Sequence, residues 1–227
     1  MEHFLRKIVV IVLGLIPFVA VAQLQQTGGI ASFSLSKEFG KRFEISAEQE
    51  LRLDRNFTSI NRSSTSVGAE YVVVKGLLRV QAAYDLHYRR NNDEYYEFRH
   101  RASAGLVLQQ DAGRFSFRWR TRGQLTYRDE NQGDYSYNPK YVWRNRLQCN
   151  YDIPRSAFRP YVSVEVFCPI NSKNGFFMDS YRLIAGTRYR VSRQHSLDFQ
   201  LRFDQDIQQK NPVNILYLGV GWSYALR

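Results

Sequence analysis

Asp85 and His87 stand two positions apart in the run Tyr84-Asp85-Leu86-His87. In an extended chain that spacing puts both side chains on one face, with Cα atoms ~7 Å apart. An acid beside an imidazole is the beginning of a general-base pair, and this is the best such pair in the sequence. No nucleophile accompanies it along the chain, so a hydrogen-bonded structural histidine is the expected role. The other histidines fail a simpler test. His100 and Ser103 are three apart and His195 and Ser196 are adjacent, so each pair divides between two faces of a strand. Glu48 and Glu50 share a face and have the spacing for acid–base work, but on a charged face solvated or arginine-paired carboxylates are the default. No metal-ligand spacing, phosphate loop or dinucleotide fingerprint is present. We therefore expect no catalytic residue, no metal and no cofactor.

A second chemistry is carried by arginine. Arg99 and Arg101, then Arg118, Arg120 and Arg122, then Arg144 and Arg146, then Arg182, Arg188 and Arg190 each recur at even spacing. Carboxylates at the same parity fall elsewhere: Glu44, Glu48, Glu50, Glu70 and Asp85 early, and Glu165, Asp198, Asp204 and Asp206 late. A planar guanidinium bridges carboxylates well, and charges in a narrow interior must satisfy one another. One reading is therefore an arginine–carboxylate network that fills an interior. The other is an anion pathway, or a cleft for an anionic headgroup, in which several of those arginines lack acidic partners. The sequence leaves both open.

The elements that position these side chains follow from a two-residue rhythm. Phe43, Ile45, Ala47, Leu51 and Leu53 alternate with Glu44, Ser46, Glu48, Glu50, Arg52 and Asp54, and the pattern returns almost to the C-terminus. Alternation with this period denotes strands with one apolar and one charged face. Eleven strand candidates result, at 29–37, 41–54, 64–74, 77–89, 94–109, 114–128, 140–152, 158–168, 179–192, 195–208 and 213–226. Short connections alternate with longer polar ones, the up-and-down arrangement of an all-β antiparallel barrel. Secretion calls for both chain ends in the periplasm. That requirement gives about ten membrane strands, with twelve as the alternative, and leaves 29–37 as an edge extension, a plug or half of an unseen pair.

Which face looks outward separates a membrane barrel from a soluble periplasmic barrel or sandwich, and length and aromatics favour the membrane barrel. The strands exceed the ~9–11 residues needed to cross a bilayer, and rings gather near strand ends, as at Tyr84 and Tyr88, Tyr141 and Trp143, and Trp222 and Tyr224. Such rings form the girdles of a lipid-facing band. Residues 1–22 have the layout of a cleaved secretory signal peptide: Arg6 and Lys7, an apolar stretch from Ile8 to Val19, and Ala20-Val21-Ala22. Residues 23–227 are then one barrel domain. Export permits a disulfide, but hairpin register holds Cys149 and Cys168 about 20 Å or more apart along the ladder, beyond bridging distance. The net charge is +11. An exported basic chain without a recognition motif is not expected to bind nucleic acid; the expected surroundings are outer-membrane lipid, lipopolysaccharide included, around a monomer.

Several of these residues resemble a known family. Small exported barrel proteins of Bacteroidota, catalogued as a domain of unknown function, share an early Glu48-Gln49-Glu50-Leu51-Arg52 strand. They are similar again in Trp119-Arg120-Thr121-Arg122, in Trp143-Arg144-Asn145-Arg146-Leu147, in Pro160-Tyr161 with Glu165, and in Leu218-Gly219-Val220-Gly221-Trp222. The resemblance implies an outer-membrane barrel of a Gram-negative bacterium. It supplies no substrate, cofactor or catalytic residue.

Overall fold

The computed structural model describes residues 26–91, 94–129, 137–172, 176–207 and 214–226. The signal expected at 1–22 lies outside the described residues. Alternating sequence becomes alternating strand: β1 (Gln26–Phe39), β2 (Phe43–Asp54), β3 (Ser59–Val74), β4 (Leu78–Arg90), β5 (Tyr96–Ala112), β6 (Phe115–Arg128), β7 (Lys140–Tyr151), β8 (Phe158–Pro169), β9 (Ser180–Arg190), β10 (His195–Asp206) and β11 (Asn214–Leu226). Each pairs with its sequence neighbour, and β1 pairs with β11 to close the sheet on itself.

Closure corrects the strand count. The barrel has eleven strands, neither ten nor twelve, because the N-terminal piece is a full wall strand. β1 lies antiparallel to β2 but parallel to β11, from Gln26 opposite Ile215 to Lys37 opposite Leu226. An odd number of strands closes only with one parallel pair. The two described ends consequently reach opposite rims, Gln26 at the long-loop rim and Leu226 at the tight-turn rim, contrary to the expectation that both share a side. The connection between β2 and β3 is also shorter than the sequence suggests, since β3 begins at Ser59. At the turn rim Gly76 and Gly113 have positive φ, +77° and +62°, a region open to glycine at no steric cost.

Register runs askew around the barrel. Followed from Ile30 through Arg52, Arg62 and Arg89 it arrives at Glu97 on β5. Followed the other way, through Gly219, Gln200, Gly186, Tyr161, Asn150 and Ser116, it arrives at Asp111 on the same strand. This slip is the shear of a tilted barrel. It lets side chains distant in the sequence meet at one height inside.

The faces divide as the alternation requires. Ile45, Val67, Val80, Leu106, Leu147, Val164, Leu201, Leu218 and Val220 all stand exposed on the outer wall. Rings cluster at both ends of that wall. Phe39 with Phe43, Phe115 with Tyr151 and Phe158 with Tyr189 lie at the turn rim, and Tyr88 with Tyr96 and Trp143 with Phe176 lie at the loop rim. Inside, Arg52, Asp54, His87, Glu97, Arg144, Glu165 and Arg202 are buried. The interior is polar and the exterior apolar, the inverse of a water-soluble core.

Cys149 and Cys168 are free. Cys149 opposes Val162 and Cys168 opposes Trp143, so register keeps them apart as expected.

Candidate functional site

The lumen is the place where chemistry-bearing side chains converge. Every arginine and carboxylate singled out above lies on strand positions that face it. Their pairing differs sharply between the two halves of the barrel.

Toward the long loops a continuous belt of ion pairs lines the wall. Glu50 on β2 accepts from Arg52 at 2.8 Å and from Arg62 at 2.6 Å. Arg52 also reaches past β1 and β11 to Asp204 on β10, at 3.9 Å. Asp204 accepts both Nε (2.7 Å) and Nη2 (3.2 Å) of Arg182, as well as a fork from Arg202. Arg182 turns on to Glu165 Oε2 at 3.2 Å. The other oxygen, Oε1, accepts from Arg120 and from Arg144, each at 2.9 Å. Three carboxylates thus hold six arginines: Arg52, Arg62, Arg120, Arg144, Arg182 and Arg202.

Aromatic rings support the belt from the wall. Arg52 and Arg202 lie over the Tyr217 ring at 5.2 and 5.5 Å, and Arg144 and Arg182 over Phe167 at 4.5 and 5.0 Å, within cation–π range. Tyr217 in turn packs against Gly28, where a Cβ would come within 2.7 Å of the ring and 2.3 Å of the Leu53 carbonyl oxygen. Above the belt, Arg90 grips both oxygens of Asp54 (2.9 and 2.8 Å), and Arg99 pairs with Glu97.

The turn half is looser. Arg79 and Arg118 share Glu70 at 2.8 and 3.5 Å, and Arg188 stands 3.8 Å from Asp198, which Tyr161 also bonds at 2.8 Å. Glu48 faces the lumen, is exposed, and has no ion-pair partner among the described residues. Small side chains line the seam here: Ser32, Ser34 and Ser36 on β1, and Gly219, Gly221 and Ser223 on β11, with Ser34 bonded to Ser223 at 2.8 Å.

Of the arginines marked by sequence, Arg99, Arg118, Arg120, Arg144, Arg182 and Arg188 have carboxylate partners. Arg101 donates to the Thr126 hydroxyl at 3.2 Å, and no carboxylate lies within ion-pair distance of Arg101, Arg122 or Arg146 among the described residues. The Nε atoms of Arg122 and Arg146 are buried and unbonded.

The histidines sort as their spacing implied. His100 is on the outer wall, 2.5 Å from the Tyr84 hydroxyl, and His195 receives the Trp222 indole N–H at 3.2 Å. His87 is inside, with Asp85 4.0 Å from its Nε2. Sequence reasoning missed its other neighbour, Ser64, whose hydroxyl is 2.7 Å from Nδ1. Ser64 sits directly across from His87 on β3, and only cross-strand register reveals it. Serine, histidine and aspartate therefore stand in line. Both Ser64 and His87 are only 3% exposed, and the 4.0 Å acid contact is too long for a hydrogen bond. The Ser64 hydroxyl anchors the histidine at its Nδ1.

Residues 30–214 match the model of a family described as "Protein of unknown function (DUF2490)". A solved chain titled "Bacterial polysaccharide outer membrane secretin" is similar at 13% identity with a TM-score of 0.51, over 79% of this chain and 63% of that one. That likeness is one of fold, and this chain spans less than two thirds of that protein's length. No curated protein matches the sequence.

Proposed function

The chain belongs to the DUF2490 family, and from that membership together with the barrel's inverted polarity we propose that it is an integral outer-membrane barrel with a closed lumen, structural or binding in role. Exposed leucine, valine and aromatic side chains encircle the whole wall. In water such a surface would far exceed the apolar patches that soluble monomers tolerate. In a bilayer it is the lipid contact, and the two bands of rings fall at the interfaces. The outer-membrane title of the structural neighbour is consistent with this setting. In the reading from sequence, the exporting cell is a Gram-negative bacterium of the Bacteroidota, residues 1–22 are the exported chain's Sec-type leader, and lipopolysaccharide contacts the outer rim.

One observation carries the closed lumen: the belt runs from Arg62 to Arg120 by way of Glu50, Arg52, Asp204, Arg182 and Glu165 without a break. A wide aqueous pore leaves its charges in water, whereas these side chains contact one another. No enzymatic role is proposed. Fractionation and planar-bilayer recording test the reading together. The processed chain is expected in the outer-membrane fraction, released only by detergent, and without steady open conductance. Free chain in a periplasmic extract would refute the membrane assignment. A constant ohmic current from the wild type would refute the closure. A second reading, a narrow anion-preferring path, is favoured by the arginines without carboxylates and predicts anion-selective current that Arg120→Glu abolishes.

A further inference from the structure

We infer that the lumen contains a binding site for a phosphate-type oxyanion, built on Arg122 and Arg146 with Arg101 beside them and entered from the turn rim. The inference rests on the closed-lumen reading and gives it a ligand class.

The site begins with an arrangement that sheet energetics disfavours. On β6 and β7, Arg120 stands opposite Arg146 and Arg122 opposite Arg144. Like charges placed directly across a ladder repel, yet here four guanidiniums form a two-by-two square. Glu165 neutralises one diagonal of that square. Its Oε1 accepts from Arg120 and Arg144, each at 2.9 Å. The other diagonal, Arg122 and Arg146, has no carboxylate within ion-pair distance among the described residues, although Glu165 faces Arg146 across the β7–β8 ladder, and each of those side chains, like Arg144, keeps a buried, unbonded Nε. Cα atoms on a sheet diagonal lie ~7–8 Å apart, close enough for two arginine forks to close on one group. Arg101 brings a third guanidinium, committed only to the Thr126 hydroxyl. The square therefore holds one carboxylate where its symmetry has room for two.

Ligand class follows from charge and shape. Three guanidiniums without a carboxylate in ion-pair contact, with Asp85 facing Arg101 across the β4–β5 ladder, favour a group with more than one negative charge, and planar forks bind tetrahedral oxyanions through paired N–H donors. A chloride ion carries one charge and no separate oxygens to meet two forks, and a lone carboxylate offers one charge. A phosphate group, free or esterified, supplies both the charge and the oxygens.

Access is set by the unequal halves of the lumen. Belt side chains are between 2% (Glu165) and 24% (Asp204) exposed, whereas Arg79, Arg118 and Arg188 toward the tight turns are 33%, 38% and 59% exposed. That gradient makes the turn side, with its basic rim and the small side chains of the β1–β11 seam, the side from which a ligand would enter. Tight turns are periplasmic in barrels of this kind, so the ligand comes from the periplasm.

The test is equilibrium binding to the refolded full-length barrel in detergent. Inorganic phosphate, pyrophosphate and glycerol 3-phosphate are the probes, with acetate and chloride as controls. Saturable binding of a phosphate probe at least tenfold tighter than acetate is expected, weakened tenfold or more in both Arg122→Gln and Arg146→Gln. Arg188→Gln, at the entrance, lowers it only a few-fold. Preference for the ester over inorganic phosphate identifies a phosphorylated metabolite or lipid headgroup as the source, and the reverse identifies the free ion. Equal binding of all anions, or wild-type affinity in both variants, overturns the site. If neither variant folds, protection of Arg122 and Arg146 from phenylglyoxal by pyrophosphate in the wild type decides instead, and absent protection overturns the site. A barrel that integrates into membranes without conductance yet binds no phosphate loses this site alone. A chain that never enters membranes loses the parent reading, whatever it binds.

Discussion

The two halves of one lumen use the same residue types to different ends. Toward the loops, arginine and carboxylate are linked in one network, forked and stacked on rings, and largely buried. Toward the turns, the arginines stand more exposed, with small residues between them. Buried ion pairs are costly to break, because removing one partner strands the other without solvent. Exposed pairs contribute little and are screened by salt. The loop half therefore has the character of a core, and the turn half that of a surface folded inward.

The largest expected effect sharpens that contrast. Glu165→Gln leaves Arg120, Arg144 and Arg182 around a neutral amide and destabilises the barrel by about 3–5 kcal/mol, measured by urea unfolding in mixed micelles. Gly28→Ala comes next. The added methyl meets the Leu53 carbonyl and the Tyr217 ring and costs ~1–3 kcal/mol as overpacking, with Tyr217 displaced from beneath Arg52 and Arg202. Arg188→Ala, at the open end, is expected to change stability by no more than ~0.5 kcal/mol once solvent screening is counted. Smallest is the salt response of the wild type: raising sodium chloride from low to molar concentration moves the unfolding midpoint little, because the pairs that matter are shielded from the ions. A large loss of stability in Arg188→Ala, or a wild type that melts readily in high salt, would erase the distinction between the halves.

Sequence made the strands legible because a polar lumen and an apolar exterior write their difference at every second residue. The bounds of β2, β8 and β11 fall within two positions of those read from alternation. β1 was harder, and for a physical reason. Its inner face is Gly28, Ile30, Ser32, Ser34 and Ser36, so it lacks the charge that marks β2, and its partner β11 is fixed only by long-range register. The candidate site was half legible. Parity placed the arginines and acids on one face, but which acid each arginine meets depends on shear. Nothing local in the sequence says that Glu165 serves one diagonal of the β6–β7 square, or that Ser64 stands across from His87.

The parallel seam has a consequence for how the molecule is made. Ser34 and Ser223 touch although 189 positions separate them, whereas each other ladder joins strands adjacent along the chain. Hairpins can zip one after another, but this last pairing must wait for both extremities to meet, the slowest kind of encounter for a folding polypeptide. Until then the nascent sheet carries two raw edges, open to any passing strand. The hazard of misassembly is thus concentrated in a single late event, and a chaperone or insertion machine that shields those two edges would act at the step where this barrel most needs help.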